Sequence, residues 1–206
     1  KIKKIMKKQI LSILFTLSFL ISFSQLISYE AIWINEGMED DYISVEELWS
    51  EVKKQAIADD IQDFWVVFKV EKDSSNLESL KKPDYIVFNG FKDDEQRKKQ
   101  TNWKELAMEV YKGKMSKRKF EKAWEKTPTV RKETKTFLVE RLDNSIWSPL
   151  AEGKEGRALF NGFKALNDDY ENFEMKYFKE NHNKQIEAGS RAWWEFNKVI
   201  SRSENA

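Results

Sequence analysis

Phe64–Val70 (FWVVFKV) and Tyr85–Phe91 (YIVFNGF) are the stretches on which the reading of this chain turns. Both are dominated by aromatic and β-branched residues, the side chains that pack best on a pleated surface. The intervening Glu71–Pro83 is polar and reads as a connection, so the two predict a pair of strands. Working outward, Tyr29–Asn35 (YEAIWIN) is an earlier strand closed by Glu36-Gly37, and Thr134–Leu142 (TKTFLVERL) is a later one.

Helical spacing fills the gaps. Ser44 with Glu47 three residues on makes a capping box, and Val45, Leu48, Trp49, Val52 and Ala56 then fall on one face. Asn102 with Glu105 opens a second helix whose stripe is Trp103, Leu106, Ala107, Val110 and Tyr111. Gly113 and Ser116 break and restart it, Phe120, Ala123 and Trp124 continue it, and Pro128 stops it. The order strand, helix, strand, strand, helix, strand predicts an α+β fold, a ferredoxin-like βαββαβ unit over residues 25–145 with both helices on one face of an antiparallel sheet. The other face needs a cover.

An internal repeat offers one. Asp40-Asp41-Tyr42 recurs as Asp168-Asp169-Tyr170, and the same 128-residue shift aligns Glu46 with Glu174, Trp49 with Tyr177, Trp65 with Trp193 and Phe68 with Phe196. Phe88-Asn89-Gly90-Phe91-Lys92 is echoed by Phe160-Asn161-Gly162-Phe163-Lys164, which places a strand at Ala158–Phe163. After a linker at 146–156, residues 157–206 therefore read as a partial second ferredoxin-like unit. That unit ends after Ala192–Ile200 (AWWEFNKVI), without its last two strands and second helix, so the chain is expected to be a fragment of a longer product.

Residues 1–24 read as an export signal: a lysine-rich start, an apolar run from Ile10 to Ile21, and small residues Ser22 and Ser24 around Phe23. Cleavage after Ser24 leaves Gln25 as the first residue of a periplasmic or extracellular protein, with no membrane attachment afterwards. The alternative is a retained anchor, with apolar character stretched to Ile27. Met6 is a natural start, which would make residues 1–5 upstream sequence.

Composition narrows the partners. Lys+Arg 36 against Asp+Glu 35 is balanced and interspersed, so no basic face for nucleic acid is expected. The lysines of 112–126 alternate with Phe120, Ala123 and Trp124 and read as a solvated face over a buried stripe. Without cysteine there are no disulfides, and stability must come from burial, to which eight tryptophans contribute large apolar areas.

Asp169-Tyr170 with Glu174, Tyr177, His182, Gly189 and Trp193 resembles a pattern in exported, uncharacterised proteins of flavobacteria and their relatives, as does the Ser24-Gln25 junction. Those proteins are similar to the dimeric α/β-barrel superfamily, in which two ferredoxin-like sheets pack face to face. The resemblance implies monooxygenase, haem-binding or simple binding roles without choosing among them. The first unit departs from the pattern, with Lys54 where the second has His182 and Ile61 where it has Gly189.

Candidate chemistry is sparse. His182, the only histidine, is a candidate haem ligand or general base, against which Asn181, Asn183 and Lys184 suit a partly exposed helical residue. Glu46 and Glu174 are candidate acid/base carboxylates, or first-turn charges that complement a helix dipole. Trp65, Trp193 and Trp194, with Tyr42 and Tyr170, are either core or the wall of a pocket for a small apolar or aromatic ligand. Strand alternation would send Trp193 and Trp194 to opposite faces. No metal set and no cofactor is expected, haem being the alternative. The functional expectation is an exported binding or accessory protein. The alternatives are an oxidoreductase of the barrel monooxygenase kind and a structural protein assembling as a homo-oligomer.

Overall fold

A computed structural model describes residues 25–145 and 156–206. The expected export signal, and the expected linker apart from Gly156, lie outside the described residues. Five strands, β1 (Leu26–Ile34), β2 (Phe64–Lys69), β3 (Tyr85–Phe91), β4 (Arg131–Asn144) and β5 (Glu195–Arg202), form one sheet in the order β2-β3-β1-β4-β5. Every neighbouring pair is antiparallel. The helices are α1 (Glu39–Ala58), the short α2 (Leu77–Leu80) and α3 (Asp94–Lys98), α4 (Trp103–Tyr111), α5 (Lys117–Thr129), α6 (Tyr170–Phe173) and α7 (Lys179–Glu187). A π-helical stretch, Glu174–Phe178, joins the last two. The fold is α+β.

Several boundaries differ from expectation for identifiable reasons. α1 starts five residues before Ser44, at Glu39, because Glu39, Asp40 and Asp41 place negative charge where the helix dipole favours it. Ser44 is then inside the helix, and its hydroxyl donates back to the Asp40 carbonyl. Asn102 and Ser116 do cap α4 and α5, accepting from the backbone of Glu105 and Lys119. Pro128 sits within the last turn of α5 rather than ending it. The short helices are capped by Asn76 and Asp93 and lie in stretches with too few residues to show a hydrophobic stripe. Residues 156–165 form neither helix nor strand, so Ala158–Phe163 is not a strand. The later strand is shifted to Glu195–Arg202 and joins the existing sheet beside β4, Val139 facing Val199.

α1 binds the helical layer to the sheet. Tyr42 and Val45 pack with Ile32 of β1, Tyr85 and Val87 of β3, and Val130 between α5 and β4. One turn further, Leu48 and Val52 pack with Ala107 of α4 and Phe120 of α5, with Trp49, Trp103 and Trp124 around them. α1 thus lies between the sheet on one side and α4 and α5 on the other. Each such fully buried aliphatic side chain contributes about 1.5–3 kcal/mol.

The opposite sheet face is aromatic. Tyr29 alternates with Glu30 along β1 and points away from α1. Its ring stacks on Phe137 at 4.6 Å and tilts against Phe88 at 5.6 Å. Phe160, from the segment that lacks regular structure, lays its ring on Phe88 at 5.3 Å and meets Phe68 edge-on at 5.4 Å.

At the end of this face the Phe64 ring covers Gly90 of β3. A methyl group on Gly90 would sit 2.0 Å from Phe64 Cε1, so glycine here makes room for the neighbouring strand's ring. Gly90→Ala is expected to destabilise the protein by about 1–3 kcal/mol in chemical denaturation. In a Phe64→Ala background most of that cost should vanish, whereas an undiminished cost would show that the ring is not its source.

Candidate functional site

The sequence candidates Tyr42, Glu46 and Trp65 meet at one place. The buried stripe of α1 carries Tyr42 and Glu46, and β2 presents Trp65 beside Val67. Together with Tyr85 of β3 and with Ile43, Glu47 and Ser50 from the outer side of α1, they line a groove of about 290 Å³. That volume is at the small end for ligand pockets, and the walls are mostly aromatic and aliphatic. Tyr42 and Tyr85 stack obliquely at its inner wall, ring centroids 4.3 Å apart.

Beneath this wall is a charged layer. Arg131, the first residue of β4, donates from Nη1 to Glu30 Oε2 at 2.7 Å and from Nη2 to Glu46 Oε1 at 3.2 Å. It thereby joins β1, α1 and β4 through one guanidinium. Glu46 lies two turns inside α1, not on its first turn, so the dipole does not account for it; Arg131 does. Burial raises the Glu46 carboxyl above the usual carboxylate range, against the attraction of Tyr42 and Arg131. The Tyr42 hydroxyl is buried without a well-formed hydrogen bond, and burial, then the Glu46 charge, holds its proton on. Tyr85 donates to Glu39 Oε1 at 3.0 Å and is pushed up to about 12 by burial and then by Glu39.

Lys53 lies one helical turn beyond Trp49 in α1. Its Nζ donates to Gln62 Oε1 and Asn89 Oδ1, each at 2.9 Å, and sits 3.9 Å over the centre of the Trp103 ring. Burial lowers its pKa to about 8, even though Glu30 and Glu46 favour the charged form. Two carbonyl oxygens and a ring face solvate the ammonium in place of water.

Tyr170, Glu174, His182 and Trp194 form a second cluster around the start of β5. Tyr170 donates to Glu174 Oε1 at 2.6 Å and meets Phe196 edge-on at 6.1 Å. Burial and then Glu174 push its hydroxyl up to about 12. His182 stacks on Trp194 at 5.4 Å, and its Nδ1 is buried with no hydrogen-bond partner among the described residues. Burial and then Arg191 lower its pKa, while Glu174 acts the other way. Trp193 and Trp194 precede β5 instead of lying within it, so strand alternation does not set their directions. Trp194 is buried and locked by reciprocal bonds with Ser145: its N donates to the Ser145 hydroxyl at 2.8 Å and its carbonyl accepts from Ser145 N at 2.9 Å.

Each cluster holds a tyrosine and a glutamate one helical turn apart. Among the described residues, no group of three or more acidic or histidine side chains is arranged to hold a metal ion, and no helix is long and apolar enough to cross a membrane. Arg131, Glu30 and Lys53 were not singled out from the sequence. Glu30 did leave a signal, as the one charge inside the otherwise apolar YEAIWIN.

The depressed Lys53 value fixes a pH dependence. Between about 8 and its ordinary value of 10.5, the unfolded chain holds this proton and the folded one does not. Stability from this group therefore rises with pH across that window, and it is lost as pH falls through about 8. An NMR titration of the Lys53 ε-methylene is expected to show its midpoint near 8; a midpoint in the ordinary lysine range would contradict the desolvated site.

The chain matches no known protein-family model, and no curated protein matches it significantly.

Proposed function

We propose that this is an exported binding protein, periplasmic or extracellular, that holds a small apolar or aromatic molecule in the groove between α1 and the β2–β3 edge. The observation that carries this reading is that Tyr42, Glu46, Trp65 and Tyr85 line one groove, with Trp65 partly exposed and the other three buried. Aromatic walls favour a flat ligand through stacking and area burial. A carboxyl whose proton is retained more readily than usual is suited to hydrogen-bonding a polar edge of that ligand.

We also read the fold as a ferredoxin-like unit followed by part of a second, in the manner of the dimeric α/β barrels. Three features support this: the strand order β2-β3-β1-β4, helices following β1 and β3, and the Tyr42–Glu46 pair echoed by Tyr170 and Glu174. Assembly as a homo-oligomer is compatible with binding, since the groove lies on the α1 side of β2, away from the aromatic sheet face.

The protein recovered after export, sprayed undenatured with nothing added, is expected to carry a non-protein mass. Trp65→Ala should weaken retention by about tenfold, which corresponds to about 1.4 kcal/mol of lost stacking. A clean apo mass for the wild type, or equal retention by the variant, would remove the groove from consideration.

A further inference from the structure

We infer that Asn161 is a site of spontaneous deamidation, passing through a succinimide to aspartate and isoaspartate, while the fold protects the identical motif at Asn89.

Phe88–Lys92 and Phe160–Lys164 are the same five residues, FNGFK. Each holds an asparagine followed by glycine, whose lack of a Cβ leaves its backbone nitrogen unhindered for attack on the preceding side chain. The local chemistry is therefore equal, and the surroundings decide which copy reacts.

In the first copy the groups that must move are held. Asn89 faces Ser28 on β1 and Trp65 on β2, and Gly90 faces Ile27 and Phe64 on the same two strands. The Asn89 side chain is buried, and its Oδ1 accepts from Lys53 Nζ at 2.9 Å. The Phe64 ring lies over Gly90. Ring closure here would have to open the ladder on both sides of β3 and take from Lys53 one of its two acceptors.

The second copy has no ladder to break. Residues 156–165 form neither helix nor strand, and Asn161 and Gly162 are both exposed. A methyl group on Gly162 would meet nothing within 4 Å, so the space around the reacting atoms is open. The segment is fastened just before them, where the Phe160 ring rests on Phe88 and Phe68.

Water is the co-reactant. The Gly162 nitrogen gives up its proton and attacks Cγ of Asn161, a C–N bond forms, and the bond from Cγ to Nδ2 breaks. Ammonia leaves with that proton, and a five-membered imide remains. Water then opens the ring. Breaking the new bond at Cγ gives aspartate, and breaking the original peptide bond at the Asn161 carbonyl carbon gives isoaspartate. Either product places a carboxylate next to Phe160, and isoaspartate also lengthens the main chain there.

The test is peptide mapping of the full chain held at mildly alkaline pH, sampled over time and digested with trypsin. The two copies fall in different peptides, Lys82–Lys92 and Ala158–Lys164, so each serves as a control for the other. In the folded protein Asn161 should convert about tenfold or more faster than Asn89, because Asn89 reacts only when the sheet opens locally. In guanidinium chloride sufficient to unfold the chain, the two rates should converge. Gly162→Ala should slow conversion at Asn161 by about tenfold, since the added Cβ hinders the attacking nitrogen. Folded-state rates that agree within about twofold overturn the protection assigned to the sheet. An Asn161 that stays intact in the folded protein while both sites react in the unfolded chain overturns the site itself. An unchanged rate in Gly162→Ala overturns the succinimide route.

Discussion

One guanidinium governs the relation between the two layers. Arg131 enters β4 directly after the C-terminus of α5, and its fork reaches Glu30 on β1 and Glu46 on α1 at once. Its side chain is 21% exposed and that of Glu46 is 10% exposed, so the interaction is largely withdrawn from water. Under those conditions each charge needs the others, because a single unpaired one would be left desolvated. The geometry of α1 over the sheet follows from this requirement as well as from apolar packing. Tyr42, one turn before Glu46, is thereby brought against Tyr85, and the inner wall of the groove is formed.

The same logic explains Lys53. It is further along α1, where the sheet offers Asn89 and the turn before β2 offers Gln62, and the helices outside offer Trp103. Polar groups on the inner side of α1 are thus met by fixed partners, Glu46 by the Arg131 guanidinium and Lys53 by the amide oxygens of Asn89 and Gln62, whereas Leu48 and Val52 between them meet side chains of α4 and α5. A helix with two buried surfaces tolerates charges only where each one finds a fixed partner.

Much of this was legible in the sequence, and the rest was not for physical reasons. The strands at FWVVFKV and YIVFNGF and the stripe Val45–Leu48–Val52–Ala56 are local patterns, and the structure has them close to where periodicity puts them. The start of α1 was misplaced because a side-chain cap at Ser44 is a stronger textual signal than three acidic residues in a row. Ala158–Phe163 resembles Tyr85–Phe91 in composition, yet a strand also needs a neighbour, and the place beside β4 is taken by β5. Tyr42, Glu46 and Trp65 were identified as candidates for their chemistry, but their meeting depends on the antiparallel register of β2 with β3 and on how α1 lies across it. Arg131 was invisible for the same reason: its partners are 101 and 85 residues away in the chain.

The most direct test of this account is a double-mutant cycle between Glu46 and Arg131, using Glu46→Gln and Arg131→Met and reading stability by denaturant unfolding. If the guanidinium fixes α1 to the sheet, Arg131→Met alone should be strongly destabilising and Glu46→Gln should recover part of the loss. The coupling should fall in the upper part of the range of about 0.5–3 kcal/mol seen for residues in contact. Additive effects, agreeing within about 0.5 kcal/mol, would show that the layers are held together by apolar packing alone and that Arg131 does not position the groove.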